Sequence, residues 1–234
     1  QFFTVLFALV LAVNVLGFGL LAALSKSAIA YNMNATHLLP SAVSPGDSIA
    51  DITLLNNASE RVAFKGIAIE TRNFVMGKPV SLPRDQSNLR GFSEKVMSHL
   101  REVRTVISAA LYATFVASAL AFIGLIICMS KNRMRVFFSA CLSAGISMLV
   151  VFGAFGVAVA INFSGLFENF HRIFFAEGTW VFAADSLLIR TFPLQFWMQE
   201  AVVWAVFSVL TAIIYLLLGA IGRKCVAQAG FSVN

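Results

Sequence analysis

Four long runs of apolar residues divide the chain: Phe2–Leu24, Val106–Met129, Val136–Phe163 and roughly Met198–Ile221. Each is long enough to cross a hydrocarbon layer of roughly 30 Å at about 1.5 Å per helical residue. A backbone in lipid must satisfy its own hydrogen bonds, so these runs predict four transmembrane helices. Between them the apolar positions become periodic. Ala63, Ile67, Glu70 and Phe74 recur at helical spacing, with Gly77 placed to stop the helix. A clearer stripe follows in Phe92, Val96, His99, Val103 and Val106, with Ser93 as the expected N-cap and Glu94, Lys95, Arg101 and Glu102 pointing elsewhere. Phe167, Phe170, His171 and Phe174 form a third stripe, and Glu168 and Arg172 make an i,i+4 pair on its other side. That pattern predicts a short interfacial helix. The stretch HLLPSAVSPGDS, with Pro40, Pro45 and Gly46, predicts a loop, followed by a weakly signalled strand at Ile52–Leu55.

Composition agrees with a life in lipid. Hydrophobic residues make up 59% and charged residues 12%, far from the soluble average, so the expected class is an all-α integral membrane protein. Ala28-Ile29-Ala30 resembles a signal-peptide cleavage site, but the apolar run before it exceeds the usual core of about 7–15 residues. The first run is therefore expected to remain as an anchor. The chain opens on Gln1 rather than methionine, and a few residues ahead of it are expected to be missing.

Charge sets the expected orientation. SKNRMR carries Lys131, Arg133 and Arg135 without an acid, and GRKC carries Arg223 and Lys224, so both loops and both termini are expected in the cytoplasm. The expected organisation is a first transmembrane helix at 1–25, an extracytoplasmic, mainly helical domain at 26–105 and a second transmembrane helix at 106–130. A cytoplasmic loop at 131–135, a third helix at 136–163, an extracytoplasmic interfacial and re-entrant segment at 164–197, a fourth helix at 198–222 and a cytoplasmic tail at 223–234 complete it. Cys128, Cys141 and Cys225 all fall near cytoplasmic ends, which leaves the outer segments without a disulfide framework.

Candidate chemistry is sparse. His37 sits in a polar stretch and reads as a solvated loop residue, and the sequons at Asn34 and Asn57 carry no assigned function. His99 and His171 each read, taken alone, as a packed core histidine. Together they are different: each lies on the apolar face of an outer helix beside a membrane boundary, and the helices are joined through a transmembrane pair with a short turn. Two imidazoles at one level, screened by aromatic rings, can serve as general acid and base. The stretch TWVFAADSLLIRTFPLQFW is too broken to span and is expected to form a lip over a cavity in the outer leaflet.

The blocks NFVMGKPV, SEKVMSHLREVR and FHRIFFAEGTWVFAADSLLIRTFPLQFW resemble those of the bacterial lipoprotein intramolecular transacylases, small four-helix membrane proteins. In the middle block Glu102 stands where that family leads one to expect aspartate. The resemblance implies transfer of the sn-2 acyl chain of a diacylglyceryl lipoprotein to the α-amine of its N-terminal cysteine, in the bacterial cytoplasmic membrane, with the site on the outer side. It makes His99 and His171 the expected catalytic pair. On the chemistry itself, Arg104, Arg172 or Arg190 can hold an oxyanion or bind headgroup oxygens, and with Asn73, Trp180 and Asp185 they are the expected substrate-binding positions.

The chemistry stands beside the resemblance. Ester and amine belong to one molecule, and closing a ring of about eight atoms lets effective molarity replace a bimolecular encounter. No nucleophilic Ser or Cys is then required, and no Gly-x-Ser-x-Gly elbow is present. Two histidines and scattered carboxylates make a poor metal set, so no metal or cofactor is expected, and the partners are the lipoprotein and membrane lipids rather than nucleic acid. The competing reading is a non-enzymatic lipid or lipoprotein binder, a chaperone, which leaves the histidine pair unexplained. A channel is disfavoured because charged residues are absent from the apolar spans apart from Glu200 at a boundary, and Asn14 alone is insufficient.

Overall fold

The computed structural model describes residues 1–38, 58–87 and 89–231. His37, expected in a loop, falls in the last turn of the helix Lys26–Leu38, while its side chain, the rest of that expected loop, the strand at Ile52–Leu55 and Asn57 lie outside what is described. Seven helices are described: α1 Phe2–Ala23, α2 Lys26–Leu38, α3 Ala58–Val75, α4 Glu94–Ser130, α5 Met134–Phe174, α6 Leu187–Thr191 and α7 Leu194–Phe231. The protein is an all-α, multi-pass membrane protein, and α1, α4, α5 and α7 are each long and apolar enough to cross a bilayer. Large apolar side chains such as Phe115, Val150 and Ile161 lie exposed on these helices, as lipid-facing residues do. Two compact units are distinguished, one of residues 1–22, 110–162 and 203–234, the other of 23–109 and 163–202.

In the first unit Leu11 packs with Ala140, Cys141 and Ala144, and Val15 with Met148, Phe152 and Ala212. Lipid tails are as apolar as these side chains, so close packing rather than exclusion from water holds such helices together. Small residues make that approach possible. A Cβ added at Gly145 would come within 2.6 Å of the Leu216 backbone nitrogen, so α5 and α7 meet backbone to backbone there. Asn14, fully buried, accepts a hydrogen bond of 2.8 Å from the Ser118 hydroxyl. The turn between α4 and α5 places Asn132 at φ 52°, a left-handed position that Asn tolerates at a helix C-terminus.

The second unit has its own core, in which Ile29 and Met33 of α2 and Phe64 and Ala68 of α3 join Phe92, Val96 and Leu100, Leu187 and Phe196. α3 ends at Val75, and Gly77 takes φ +80° just beyond it. The Ser93 hydroxyl accepts from Val96 N at 3.4 Å as α4 begins. α2 is a helix that the hydrophobic pattern did not reveal. Its buried Asn32 donates to Glu200 at 2.9 Å, and buried Thr36 donates to Gln199 at 3.1 Å, so polar side chains are met from α7. α5 is interrupted at Asn162, whose φ −159° and ψ 83° are extended, and the helical turn bearing His171 resumes after the break.

Candidate active site

His99 and His171 are both in the second unit and face one another, their ring centroids 6.1 Å apart and their planes 27° from parallel. α4 supplies His99 from its apolar stripe, and the residues around it, Val96, Met97 and Leu100, are buried. His171 comes from the last turns of α5. Phe175, one turn beyond, lies against both rings, at 4.8 Å from His99 and 5.4 Å from His171. Phe182 closes on His99 at 5.6 Å, while Phe167 and Trp180 flank His171 at 4.2 and 5.0 Å.

These aromatic walls decide the protonation of the pair. A charged imidazole loses hydration on burial, which favours the neutral form. Burial, then the neighbouring His171, pushes His99 down to about 4 from an ordinary 6.5. Burial also holds His171 below its ordinary value, partly opposed by a hydrogen bond to the Phe167 carbonyl. That bond is 2.8 Å long and runs to Nδ1. A carbonyl can only accept, so Nδ1 carries the proton and Nε2 keeps the lone pair. His99 Nδ1 is buried without a hydrogen-bond partner among the described residues, with Glu102 Oε2 at 3.9 Å.

The model of the family described as "Lipoprotein intramolecular transacylase Lit" matches residues 2–197, a span that includes both histidines and every residue around them. The chain belongs to the Lit family. A protein of Aquifex aeolicus described only as uncharacterized is 27% identical over 149 residues, covering 63% of this chain and 65% of its own length. The solved structure of the membrane integral lipoprotein intramolecular transacylase Lit from Bacillus cereus is similar in fold, with a TM-score of 0.76 over 97% of both chains at 17% identity. A histidine-to-alanine variant of that protein has a TM-score of 0.54 over 97% of this chain and 94% of its own, at 18% identity.

Of the expected substrate-binding positions, Trp180 stands beside the His171 imidazole. Arg172, next to His171 in the chain, turns away and pairs with Glu168 at 2.7 Å. Arg104 lies over the Phe74 ring and Arg190 over the Phe64 ring, at 5.9 and 5.4 Å. Asn73 is buried and accepts from Arg72 at 3.1 Å, while Asp185 is exposed. A cavity of about 460 Å³ in this unit is lined by Phe74, Met97 and residues of the connection from α3 to α4; the broken stretch Thr179–Trp197, expected as a cavity lip, contributes nothing to it. Among the described residues no group of three or more His, Cys, Asp or Glu side chains gathers as a metal site would.

Some neighbours escaped the sequence reading. Glu102 was expected off the apolar stripe, yet it reaches both His99 and the Thr179 hydroxyl, which donates to it at 3.5 Å. Its i,i+3 spacing from His99 was the available signal. Phe175 lies at i+4 from His171 and was equally legible. Phe182 and Thr179 depend on how the chain returns after α5, which no local period encodes.

Proposed function

We propose that this protein catalyses intramolecular acyl transfer on a diacylglyceryl lipoprotein, moving the sn-2 chain to the α-amine of the N-terminal cysteine. The site lies on the extracytoplasmic side and both termini are cytoplasmic. The observation that carries the reading is the pair of buried imidazoles 6.1 Å apart within the span matched by the Lit family. Both are held neutral at pH 7 by burial, as a base must be.

The amine nitrogen attacks the sn-2 carbonyl carbon and gives up its proton to His171 Nε2, the nitrogen left free by the bond from Nδ1 to Phe167. The carbon–oxygen bond to glycerol then breaks, and that oxygen takes a proton back from the imidazole pair. A proton on His171 repels one on His99, so the pair holds a single proton and returns it readily. No acyl-enzyme forms. Amine and ester arrive in one molecule, and the enzyme supplies proton transfer and orientation rather than a nucleophile.

The test is a purified reporter lipoprotein whose N-terminal amine is either free or acetylated, read by mass spectrometry of the N-terminal peptide. Direct transfer converts the free reporter to the lyso form with an amide-linked chain and leaves the acetylated one intact. Loss of the sn-2 chain from the acetylated reporter at the normal rate would mean a hydrolase or a two-step enzyme.

A further inference from the structure

The Trp180 indole N–H is buried and has no acceptor among the described residues. A buried indole N–H ordinarily finds one, because the donor has lost water and gained nothing in return. Its position makes the exception informative. The Trp180 ring lies 5.0 Å from the His171 ring, tilted by 40°. Thr71 and Ser208 also have buried hydroxyls without partners among the described residues, but neither makes a described contact with an imidazole.

The turn that precedes it holds this indole in place. After α5 it turns tightly, with Thr179 N donating to Ala176 O at 3.2 Å, the Thr179 hydroxyl donating to the same carbonyl at 2.8 Å, and Gly178 at φ +79°. The same hydroxyl proton is shared with Glu102 of α4 at 3.5 Å, the longer arm of a three-centre bond. Trp180 therefore leaves a turn that is tied to the helix bearing His99.

Acyl transfer puts negative charge on the carbonyl oxygen when the amine adds, and a donor already aimed at that charge lowers the barrier most. The arginines are otherwise engaged: Arg172 with Glu168, Arg104 over Phe74 and Arg190 over Phe64. We propose that Trp180 is a catalytic residue of the acyl transfer put forward above, its indole N–H donating a hydrogen bond to the sn-2 carbonyl oxygen as that oxygen becomes an oxyanion. The inference rests on that reading of the reaction. As the amine adds, the carbonyl π pair moves onto the oxygen; when the glycerol oxygen leaves with its bonding pair, the carbonyl reforms. The indole keeps its proton throughout.

The test compares wild-type protein with Trp180→Phe and with protein carrying 3-benzothienylalanine at Trp180, an isostere that keeps the ring shape and replaces N–H by sulfur. Helix content and elution in detergent are followed alongside. With the free-amine reporter both variants should lose about 10²–10³-fold in kcat with KM little changed. A reporter whose sn-2 carbonyl oxygen is replaced by sulfur, a weak acceptor, should slow the wild type much more than either variant. An isostere that keeps wild-type kcat, or a loss confined to KM, would overturn the inference while leaving the reaction standing. A wild type that converts no reporter would overturn both.

Discussion

The imidazole pair shows how two side chains acquire a property that neither has alone. Each ring is desolvated by aromatic neighbours, and a charge on one disfavours a charge on the other. Both fall below the ordinary 6.5, so the neutral, proton-accepting state should persist below the usual histidine range. We expect kcat/KM, measured where chemistry limits the rate, to hold from neutral pH to below 6.5 and then fall as His171 is protonated. A limb centred at or above 6.5 would contradict the burial, and the absence of any limb down to about pH 4 would contradict an imidazole base. Stability follows the same sign. The unfolded chain binds a proton near 6.5 and folded His99 only near 4, so stability is full above the first value and declines as pH falls toward the second. His99→Ala or His171→Ala should lower turnover by a factor on the order of 10² or more. These two residues were legible in the chain, because period and boundary position place them on like faces. The rings around them were not, because Phe182 and Trp180 reach the imidazoles only through the return of the chain after α5.

Among the helices, the start of α4 fixes where His99 points. Phe92 is 1% exposed, donates its N–H to the Pro83 carbonyl at 2.8 Å and accepts from Asp85 N at 3.3 Å. It thus ties the connection from α3 to the helix that follows. Truncating a fully buried aromatic leaves both lost burial and a cavity, so Phe92→Ala should reduce unfolding free energy by about 3–5 kcal/mol in denaturant titrations. Glu168→Ala, which breaks only the exposed pair with Arg172, should cost less than about 1 kcal/mol in the same assay. Equal losses would mean that the buried stripe does not carry the stability of this unit. The stripe itself was plain in the sequence, as were the stop at Gly77 and the cap at Ser93. α2 was not, since its buried positions include Asn32 and Thr36, polar residues whose partners stand more than 160 residues away in the chain.

For the molecule as a whole, the orientation argued from positive loops makes the thiols useful reporters. Cys128 and Cys141 are buried and Cys225 is exposed near the end of α7. In intact spheroplasts a membrane-impermeant maleimide should leave Cys225 unlabelled until the membrane is permeabilised, as a cytoplasmic C-terminus requires. Labelling before permeabilisation would reverse the orientation. All three cysteines belong to the first unit and both imidazoles to the second, so Cys225→Ser should leave turnover unchanged.

Membrane class, the four apolar helices and the two candidate histidines were legible in the chain itself, because the length of an apolar run and the period of a helix are local quantities. The resemblance in the blocks around His99 and His171 pointed to the family for the same reason: a short motif is contiguous. Tertiary structure alone decided which groups meet. It brought Thr179 to Glu102 and Phe182 to His99, whereas the i,i+4 pair of Glu168 and Arg172 was already legible in the chain. Tertiary structure also left the N–H of Trp180, whose ring lies beside that of His171, without an acceptor among the described residues. Contacts of this kind depend on where the chain returns after a turn, and burial, which sets the charge of both imidazoles, is a property of everything packed around them.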